Sequence, residues 1–216
     1  MINILCFGDS NTHGTQPMAS IDDRSRWSAG ERWPGVVQAA LGPGYHIIEE
    51  GLPGRTTVFD DPIEGAHKNG RRYLAACLES HWPLDIVVLM LGVNDLKARF
   101  GLTPFDIAMG MGALAADVKS VTGASGKAAD VLILAAPPIR TTGWTALMFA
   151  GGEAKSRMLA PLCKEQAARQ GAGFLDLGTV ASVSLLDGIH FDAANHRAIG
   201  AAVASFIKAR AAASGN

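Results

Sequence analysis

The chain alternates short, nearly continuous apolar runs with longer segments whose apolar residues recur at helical spacing. Five short segments predict strands, at 2–8, 45–51, 85–92, 130–137 and 173–178. Those at 2–8, 85–92 and 130–137 are nearly continuously apolar, which is typical of buried strands. Five longer segments predict helices, at 33–42, 69–82, 103–121, 153–170 and roughly 193–212. Strands that alternate with helices form a parallel sheet covered on both faces. The pattern therefore predicts one α/β domain over 1–216, with three α/β/α layers and a flavodoxin-like five-stranded parallel sheet in the order 2-1-3-4-5.

Residues with strong positional preferences support two of these helix boundaries. Pro34 lies in the first turn of the helix predicted over 33–42, and Gly42 follows its last apolar residue. Thr103 and Pro104 are typical of an N-cap and of the first helical position after it. These residues support the predicted starts of both helices and the predicted end of the first.

Three long irregular segments interrupt the alternation, at 14–32, 54–68 and 137–152. Loops of this length in a compact domain are usually functional or form contacts between subunits. Trp27, Trp144 and the Met148–Phe149 pair lie in the first and third segments, and an isolated subunit would leave much of that apolar surface wet. We therefore expect the 14–32 and 137–152 loops to narrow a site and to build a homo-oligomer.

Composition and charge exclude several kinds of partner. The 216 residues carry a net charge of −1 without a basic stripe, so neither a nucleic acid nor an anionic membrane is expected to bind. No run reaches the ~18 apolar residues of a membrane span, and the N-terminus lacks the pattern of a signal peptide. The three widely spaced cysteines, Cys6, Cys77 and Cys163, fit buried reduced thiols. A cytoplasmic protein is expected.

No motif indicates a cofactor or a metal. The first predicted strand is not followed by G-x-G-x-x-G, and the sequence contains neither H-E-x-x-H nor C-x-x-C. The G-x-S-x-G turn of another hydrolase fold is also missing. We therefore expect chemistry that needs no cofactor and no metal.

Four polar clusters follow predicted strands or precede the last helix. They are "GDSN" at 8–11, "GLPGRTT" at 51–57, "GVND" at 92–95 and "DGIH" at 187–190. The carboxyl ends of parallel strands lie at one edge of a sheet, where α/β proteins build their sites. The four clusters should therefore meet in space.

Together these clusters contain the groups that acyl transfer needs. The Ser10 hydroxyl becomes a nucleophile if a base takes its proton, and His190 can do so if Asp187 orients its other ring nitrogen. The tetrahedral intermediate carries a negative oxygen, which the backbone amides of Ser10 and Gly54 and the side-chain amide of Asn94 could stabilise. The sequence therefore predicts a serine esterase.

In this order the clusters resemble those of the SGNH (GDSL-type) hydrolases, and the resemblance runs from end to end. The segments "EEGLPGRTT", "LGVNDLKA", "TPFDIAMGM" and "DGIHF" are similar to a bacterial branch of arylesterases and acyltransferases. The resemblance implies a three-layer fold and Ser-His-Asp ester chemistry, with the motif positions occupied by Ser10, Gly54, Asn94, Asp187 and His190.

Further residues are expected to contact the substrate. Asn11 and His13 differ from the leucine and the aromatic residue of many relatives, so both are expected to influence substrate preference. Lys97 lies just past "GVND" and could reach the mouth of the site, although a solvated lysine is the ordinary case. Phe149 and Ile189 could line an acyl or alcohol channel.

Several alternatives stay open at this stage. Ser10 could merely cap a helix, and His13 could replace His190 as the base. The expected reaction is hydrolysis of small aryl or short-chain alkyl esters, with possible acyl transfer to alcohols. A carbohydrate deacetylase or a lysophospholipase could use the same triad. A flavodoxin-like module that binds anions without catalysis is the alternative from another class.

Overall fold

The computed structural model describes residues 1–124 and 126–214. Five parallel strands form one sheet: β1 (Ile2–Gly8), β2 (Tyr45–Gly51), β3 (Ile86–Met90), β4 (Asp130–Ala135) and β5 (Gly173–Asp176). Their order is β2-β1-β3-β4-β5, so the predicted sheet is confirmed.

Seven α-helices accompany the sheet in the described part of the chain. They are α1 (Ser10–His13), α2 (Trp33–Leu41), α3 (Gly70–Ser80), α4 (Pro104–Gly123), α5 (Gly152–Ser156), α6 (Leu159–Arg169) and α7 (Ala193–Ser214). Helix α2 packs on α7, whereas α3 packs on α4 and α4 on α6. The helices thus form the two outer layers of the predicted α/β/α arrangement, and none of those described is long and apolar enough to cross a membrane.

Each face of the sheet has its own apolar core because side chains alternate along a strand. In β1, Ile4 and Cys6 pack with the residues of α2 and α7. Leu5 and Phe7 pack with those of α3, α4 and α6 on the other face. The nearly continuous apolar sequence of β1 follows from this double burial.

One predicted helix is divided in two. The pattern over 153–170 predicts a single helix, but α5 ends at Ser156 and α6 begins at Leu159. Pro161 has no N–H to donate to the carbonyl of Arg157, and its ring would collide with that carbonyl in a continuous helix. The prediction of one helix was therefore wrong at this position, since the apolar spacing continues across a break that proline imposes.

The strand order reverses between β1 and β3, and this reversal positions the site. The chain leaves β1 toward β2 on one side, while β3 lies on the other side of β1. Gly8 at the end of β1 is level with Gly51 of β2 and Met90 of β3. The polar segments after these three strands therefore begin beside one another, at the place where open α/β sheets bind ligands.

Candidate active site

The first cluster forms a tight turn between β1 and α1. Asp9 is the N-cap of α1, and its carboxylate accepts a hydrogen bond of 2.9 Å from the backbone N–H of Asn11. Ser10 is the first helical residue, so the alternative that Ser10 is the N-cap was wrong. Because Asp9 holds the turn, the Ser10 hydroxyl is free to face the cavity, which it lines.

The fourth cluster places a histidine against this serine. His190 Nε2 lies 3.0 Å from Ser10 Oγ, and His190 Nδ1 lies 2.7 Å from Asp187 Oδ2. The carboxylate only accepts hydrogen bonds, so Nδ1 carries the proton and Nε2 is left to accept from the serine hydroxyl. The three side chains are connected in one line, as acyl transfer requires.

Four hydrogen bonds fix the position of the Asp187 carboxylate. Its Oδ1 accepts from the backbone N–H groups of Ile189 and His190, both at 3.1 Å. Its Oδ2 accepts from the N–H of Met18 at 2.7 Å, in addition to the histidine. Burial raises the pKa of Asp187, but the hydrogen bond and the charge of His190, with the two backbone bonds, outweigh it and lower that pKa. Asp187 therefore stays ionised.

The turn between Asp187 and His190 requires glycine. Gly188 has a φ of +75°, and a Cβ there would lie 1.9 Å from the carbonyl oxygen of Arg140. The Gly188 carbonyl in turn accepts from the Arg140 N–H at 2.8 Å. Thr145 also donates its hydroxyl to the Asp187 carbonyl. The 137–152 loop thereby supports the triad from behind.

The second and third clusters bring candidate oxyanion donors to the same cavity. Gly54, Asn94 and Ser10 all line it. Among the described residues, no acceptor takes the backbone N–H of Gly54 or Ser10. Asn94 donates one amide hydrogen to the carbonyl of Arg55 at 3.1 Å, which leaves its second amide hydrogen for another acceptor. The arrangement can donate several hydrogen bonds to one anionic oxygen.

A buried carboxylate joins these two clusters. Asp95 accepts from the Thr57 backbone N–H at 3.0 and 3.1 Å and from its hydroxyl at 2.5 Å. Burial raises the pKa of Asp95 to about 6, against the opposing effect of the Thr57 hydrogen bonds. The loop that carries Gly54 is therefore tied to the loop that carries Asn94.

The sequence analysis missed Arg55, which is only 3% exposed beneath the site. Its guanidinium donates to the carbonyls of Gly8, at 2.9 Å, and of Glu50. It also lies over the Phe7 ring, 4.0 Å from the centroid. Arg55 belongs to the "GLPGRTT" cluster, but the sequence predicted no role for it, because a loop arginine is normally solvated.

The cavity beside Ser10 has a volume of about 440 Å³ and two kinds of lining. Its apolar lining comes mostly from the 14–32 and 137–152 loops: Met18, Ile21, Trp144, Met148, Phe149 and Ile189. Its charged lining includes Arg24, Glu64, Lys68, Lys97 and Arg99. Trp144 Nε1 donates to the Met18 carbonyl at 3.1 Å, so the two loops hold one another across the cavity.

Asn11, which is expected to contact the substrate, has other surroundings. Asn11 is 1% exposed, does not line the cavity, and donates its side-chain amide to the Ile189 carbonyl at 2.9 Å. Its predicted contact with substrate was therefore wrong.

His13 does line the cavity, but its ring makes no hydrogen bond to Ser10. Its Nδ1 lies 3.2 Å from Thr15 Oγ1. Burial, followed by the charges of Arg26 and Arg32, lowers the pKa of His13 to about 4, so it is neutral at pH 7. Its position favours a role in the pocket wall over the role of base.

Lys97 lines the cavity as a buried ion-pair residue, not as a solvated lysine. Only 4% of its side chain is exposed, and Nζ lies 2.5 Å from Glu64 and 3.7 Å from Asp61. Arg99 joins the same two carboxylates. Both hydrogen bonds to Glu64 go to Oε1, and Oε2 accepts none from the described residues. Oε2 lies close to Gly54, since a Cβ built on that glycine would be only 2.4 Å from it. An unpaired carboxylate oxygen thus lies beside a candidate oxyanion donor.

Comparisons with known proteins agree with this geometry. The model of the GDSL-like Lipase/Acylhydrolase family matches residues 6–198. The native aryl esterase of M. smegmatis is 41% identical, with 97% of this chain and 99% of that chain covered at a TM-score of 0.92. Est24, a carbohydrate acetylesterase from Sinorhizobium meliloti, is 42% identical with the same coverage and a TM-score of 0.93.

A more distant structure shares the fold alone. The lipase/acylhydrolase from Enterococcus faecalis is 20% identical over 97% of each chain, with a TM-score of 0.69. A search of curated proteins found no match. The family model spans most of the sequence. The M. smegmatis aryl esterase and the acetylesterase Est24 both align with this chain over nearly their full lengths. The chain therefore belongs to the GDSL-like lipase and acylhydrolase family, the SGNH type of carboxylic ester hydrolase.

Proposed function

We propose that this protein hydrolyses small esters through an acyl-enzyme on Ser10. The observation that carries the proposal is the line of hydrogen bonds from Asp187 through His190 to Ser10 at the wall of a cavity. The alternative of a non-catalytic anion-binding module does not fit a serine whose hydroxyl is held by an oriented, buried histidine.

In the proposed mechanism, His190 Nε2 takes the hydroxyl proton while Ser10 Oγ forms a bond to the ester carbonyl carbon. The negative carbonyl oxygen receives hydrogen bonds from the amides of Ser10 and Gly54 and from Asn94. As the bond to the leaving group breaks, His190 returns its proton to the departing oxygen. A water molecule then gives a proton to His190 and attacks the acyl carbon. His190 returns that proton to Ser10 Oγ as the bond between the acyl group and the serine oxygen breaks and the acid leaves.

The substrate class follows from the size and lining of the cavity. A volume of about 440 Å³ lies at the lower end of small-molecule sites, which favours aryl or short-chain alkyl esters over the long acyl chain of a lysophospholipid. The side chains of Trp144 and Phe149 supply apolar surface for such groups. The similarity to a protein described as an aryl esterase supports this choice.

The same apolar surface should let an alcohol compete with water for the acyl-enzyme. Burying a benzyl-sized group of on the order of 150 Å² contributes roughly 3–4 kcal/mol before ordering costs, which partly offsets the ~55 M concentration of water. We expect vinyl acetate and benzyl alcohol to yield benzyl acetate above the rate without enzyme. Release of acetic acid alone would limit the protein to hydrolysis.

A second candidate, the hydrolysis of acetylated carbohydrates, is favoured by the unpaired oxygen of Glu64. A sugar hydroxyl could donate to this carboxylate while its ester reaches Ser10. Glu64→Gln should then lower kcat/KM for an acetylated sugar and leave phenyl acetate almost unchanged. Equal effects on both substrates would assign Glu64 to the pocket wall and favour the aryl ester.

The central test is covalent labelling with a fluorophosphonate probe. The wild-type protein should be labelled at Ser10, and Ser10→Ala should abolish labelling and turnover of p-nitrophenyl acetate. Ser25→Ala is the matched control, because Ser25 lies in an exposed stretch of the 14–32 loop and should not affect either readout. A stoichiometric adduct on another serine would overturn the assignment.

A further inference from the structure

Three metal-ligating side chains converge outside the cavity. Glu50 lies near the end of β2, Cys77 in α3, and His81 at the C-cap of α3. One possible ligand atom from each lies within 4.8 Å of the others, and His81 Nε2 is 2.9 Å from Glu50 Oε1. None of the three lines the cavity beside Ser10.

Helix geometry explains how the cluster forms. The His81 N–H donates to the Cys77 carbonyl, so the two residues are one helical turn apart. Side chains at i and i+4 face the same way and can hold one ion together. Glu50 approaches from the neighbouring edge strand, and its carboxylate completes a set of sulfur, nitrogen and oxygen ligands.

The exposure of the three side chains suits a cation that enters from solvent. The Cys77 side chain is fully buried, whereas 20% of Glu50 and 31% of His81 are exposed. A cation could therefore meet the carboxylate and the imidazole first and then the thiol behind them. Atoms that bind one tetrahedral Zn²⁺ are about 3.3–3.8 Å apart. Since the three ligand atoms lie within 4.8 Å of one another, side-chain movements of about 1 Å would bring them to these distances.

We propose that Glu50, Cys77 and His81 bind a thiophilic divalent cation of the Zn²⁺ class, with the fourth position open to solvent. Imidazole and thiolate ligands select such ions over Mg²⁺ and Ca²⁺, which prefer oxygen. The site would join the edge strand β2 to helix α3. It is separate from the proposed ester chemistry, which needs no metal.

Binding must release the thiol proton. Burial, followed by the charge of Glu50, raises the pKa of Cys77 to about 12, while Arg55 and Tyr73 act in the opposite direction. When the metal–sulfur bond forms, the Cys77 proton passes to solvent, and His81 must bind as the neutral ring. Affinity should therefore rise with pH.

Cobalt provides a direct test because Co²⁺ is a spectroscopic substitute for Zn²⁺. Metal-free, reduced protein titrated with Co²⁺ at pH 8 should develop a sulfur-to-metal charge-transfer band and the visible bands of four-coordinate cobalt. Zn²⁺ should displace the cobalt and so remove the charge-transfer band and the visible bands. The bands should weaken at pH 6, where proton competition is stronger.

Matched variants assign the signal to these residues. Cys77→Ser should abolish the charge-transfer band, and His81→Gln should weaken Co²⁺ binding by at least about tenfold, or 1.4 kcal/mol. Cys163→Ala should keep the band, because Cys163 is buried and belongs to no group of three metal-ligating side chains among the described residues. Circular dichroism checks folding, and His81→Gln tests the site even if Cys77→Ser is destabilised. A wild-type protein without the band, or a band that survives in Cys77→Ser, would overturn the proposal.

Discussion

At the scale of single residues, the tautomer of His190 depends on the carboxylate of Asp187. An asparagine oxygen at the Oδ1 position could still accept from the N–H groups of Ile189 and His190. The amide nitrogen at the Oδ2 position would then donate to Nδ1, force the ring proton onto Nε2 and lose the bond from the Met18 N–H. That tautomer cannot accept the Ser10 proton. We expect Asp187→Asn to lower kcat for p-nitrophenyl acetate by about 10³–10⁴-fold with an unchanged circular dichroism spectrum. Activity near that of the wild type would show that another group orients the ring.

Asn94 illustrates how one side chain can serve both structure and catalysis. One of its amide hydrogens holds the Arg55 carbonyl, and the other is free for a substrate oxygen. We expect Asn94→Ala to lower kcat by about 10²–10³-fold, because the oxygen becomes negative only in the transition state. Steady-state kinetics with phenyl acetate would check this. A large rise in KM with kcat unchanged would instead make Asn94 a substrate-binding residue.

At the scale of elements, His196 connects the two helices on one face of the sheet. It lies in α7, is fully buried, and accepts a hydrogen bond from the backbone N–H of Trp33 in α2. Its ring also meets Phe191 edge to face, with centroids 5.6 Å apart. Burial, partly opposed by the charge of Asp192, lowers the pKa of His196 from 6.5 to about 4. The packing of α7 on α2 therefore requires the neutral imidazole.

This depressed pKa predicts how stability depends on pH. The unfolded chain takes up a proton at His196 below pH 6.5, whereas the folded chain does so only near pH 4, so stability falls as pH drops through this interval. Between pH 7 and pH 5 the loss at this residue is about 2 kcal/mol. His196→Gln should remove that loss, as measured by urea unfolding at both pH values.

Comparing the free energy of unfolding of the wild-type protein with that of His196→Gln separates the effect of His196 from that of other titrating groups. His13, whose pKa is also lowered to about 4, should cause a further loss of stability as pH falls. Asp9 and Asp95, whose pKa values burial raises to about 6, favour the folded state at low pH and act oppositely. These three contributions are common to both proteins. An equal change in unfolding free energy for wild type and His196→Gln would contradict the prediction.

At the scale of the whole molecule, apolar side chains of the cavity loops face solvent. Leu147 is 90% exposed and Ile21 is 57% exposed, while Ile63 from the 54–68 loop is 74% exposed. Water contacts with such side chains are unfavourable, and covering them in a symmetric assembly would remove that cost. We therefore propose that the 14–32 and 137–152 loops form the contacts of a homo-oligomer.

The proposed assembly has a simple test. Leu147→Glu would place a charge in the contact and should lower the mass measured by light scattering at micromolar concentration. Trp82→Glu is the control, because Trp82 is 56% exposed but lies before β3, away from the loops at the carboxyl end of the sheet. A monomeric wild-type protein, or assembly that survives Leu147→Glu, would refute these contacts.

The sequence alone determined the main features of the fold and the composition of the site. Continuous apolar runs predicted β1, β3 and β4, because strands buried on both faces exclude polar residues. The edge strand β2 keeps polar residues such as Glu49 and Glu50, and its place in the alternation of strands and helices predicted it. The position of Ser10, Gly54, Asn94 and His190 after strands or before a helix predicted that they would meet, and the structure brings all four to one cavity. Their catalytic roles stay predictions.

Only the tertiary structure decided the contacts that support this site. Met18 reaches Asp187 across 169 positions of sequence, and Arg55 lies 47 positions from the Gly8 carbonyl that it supports. The same holds for the pairing of Lys97 with Glu64 and for the meeting of β2 and α3 at Cys77. Apolar periodicity reports which face of an element is buried, but it carries no information about which polar groups meet once the elements pack. Those partners are chosen when long loops fold over the sheet and every buried donor or charge must find an acceptor.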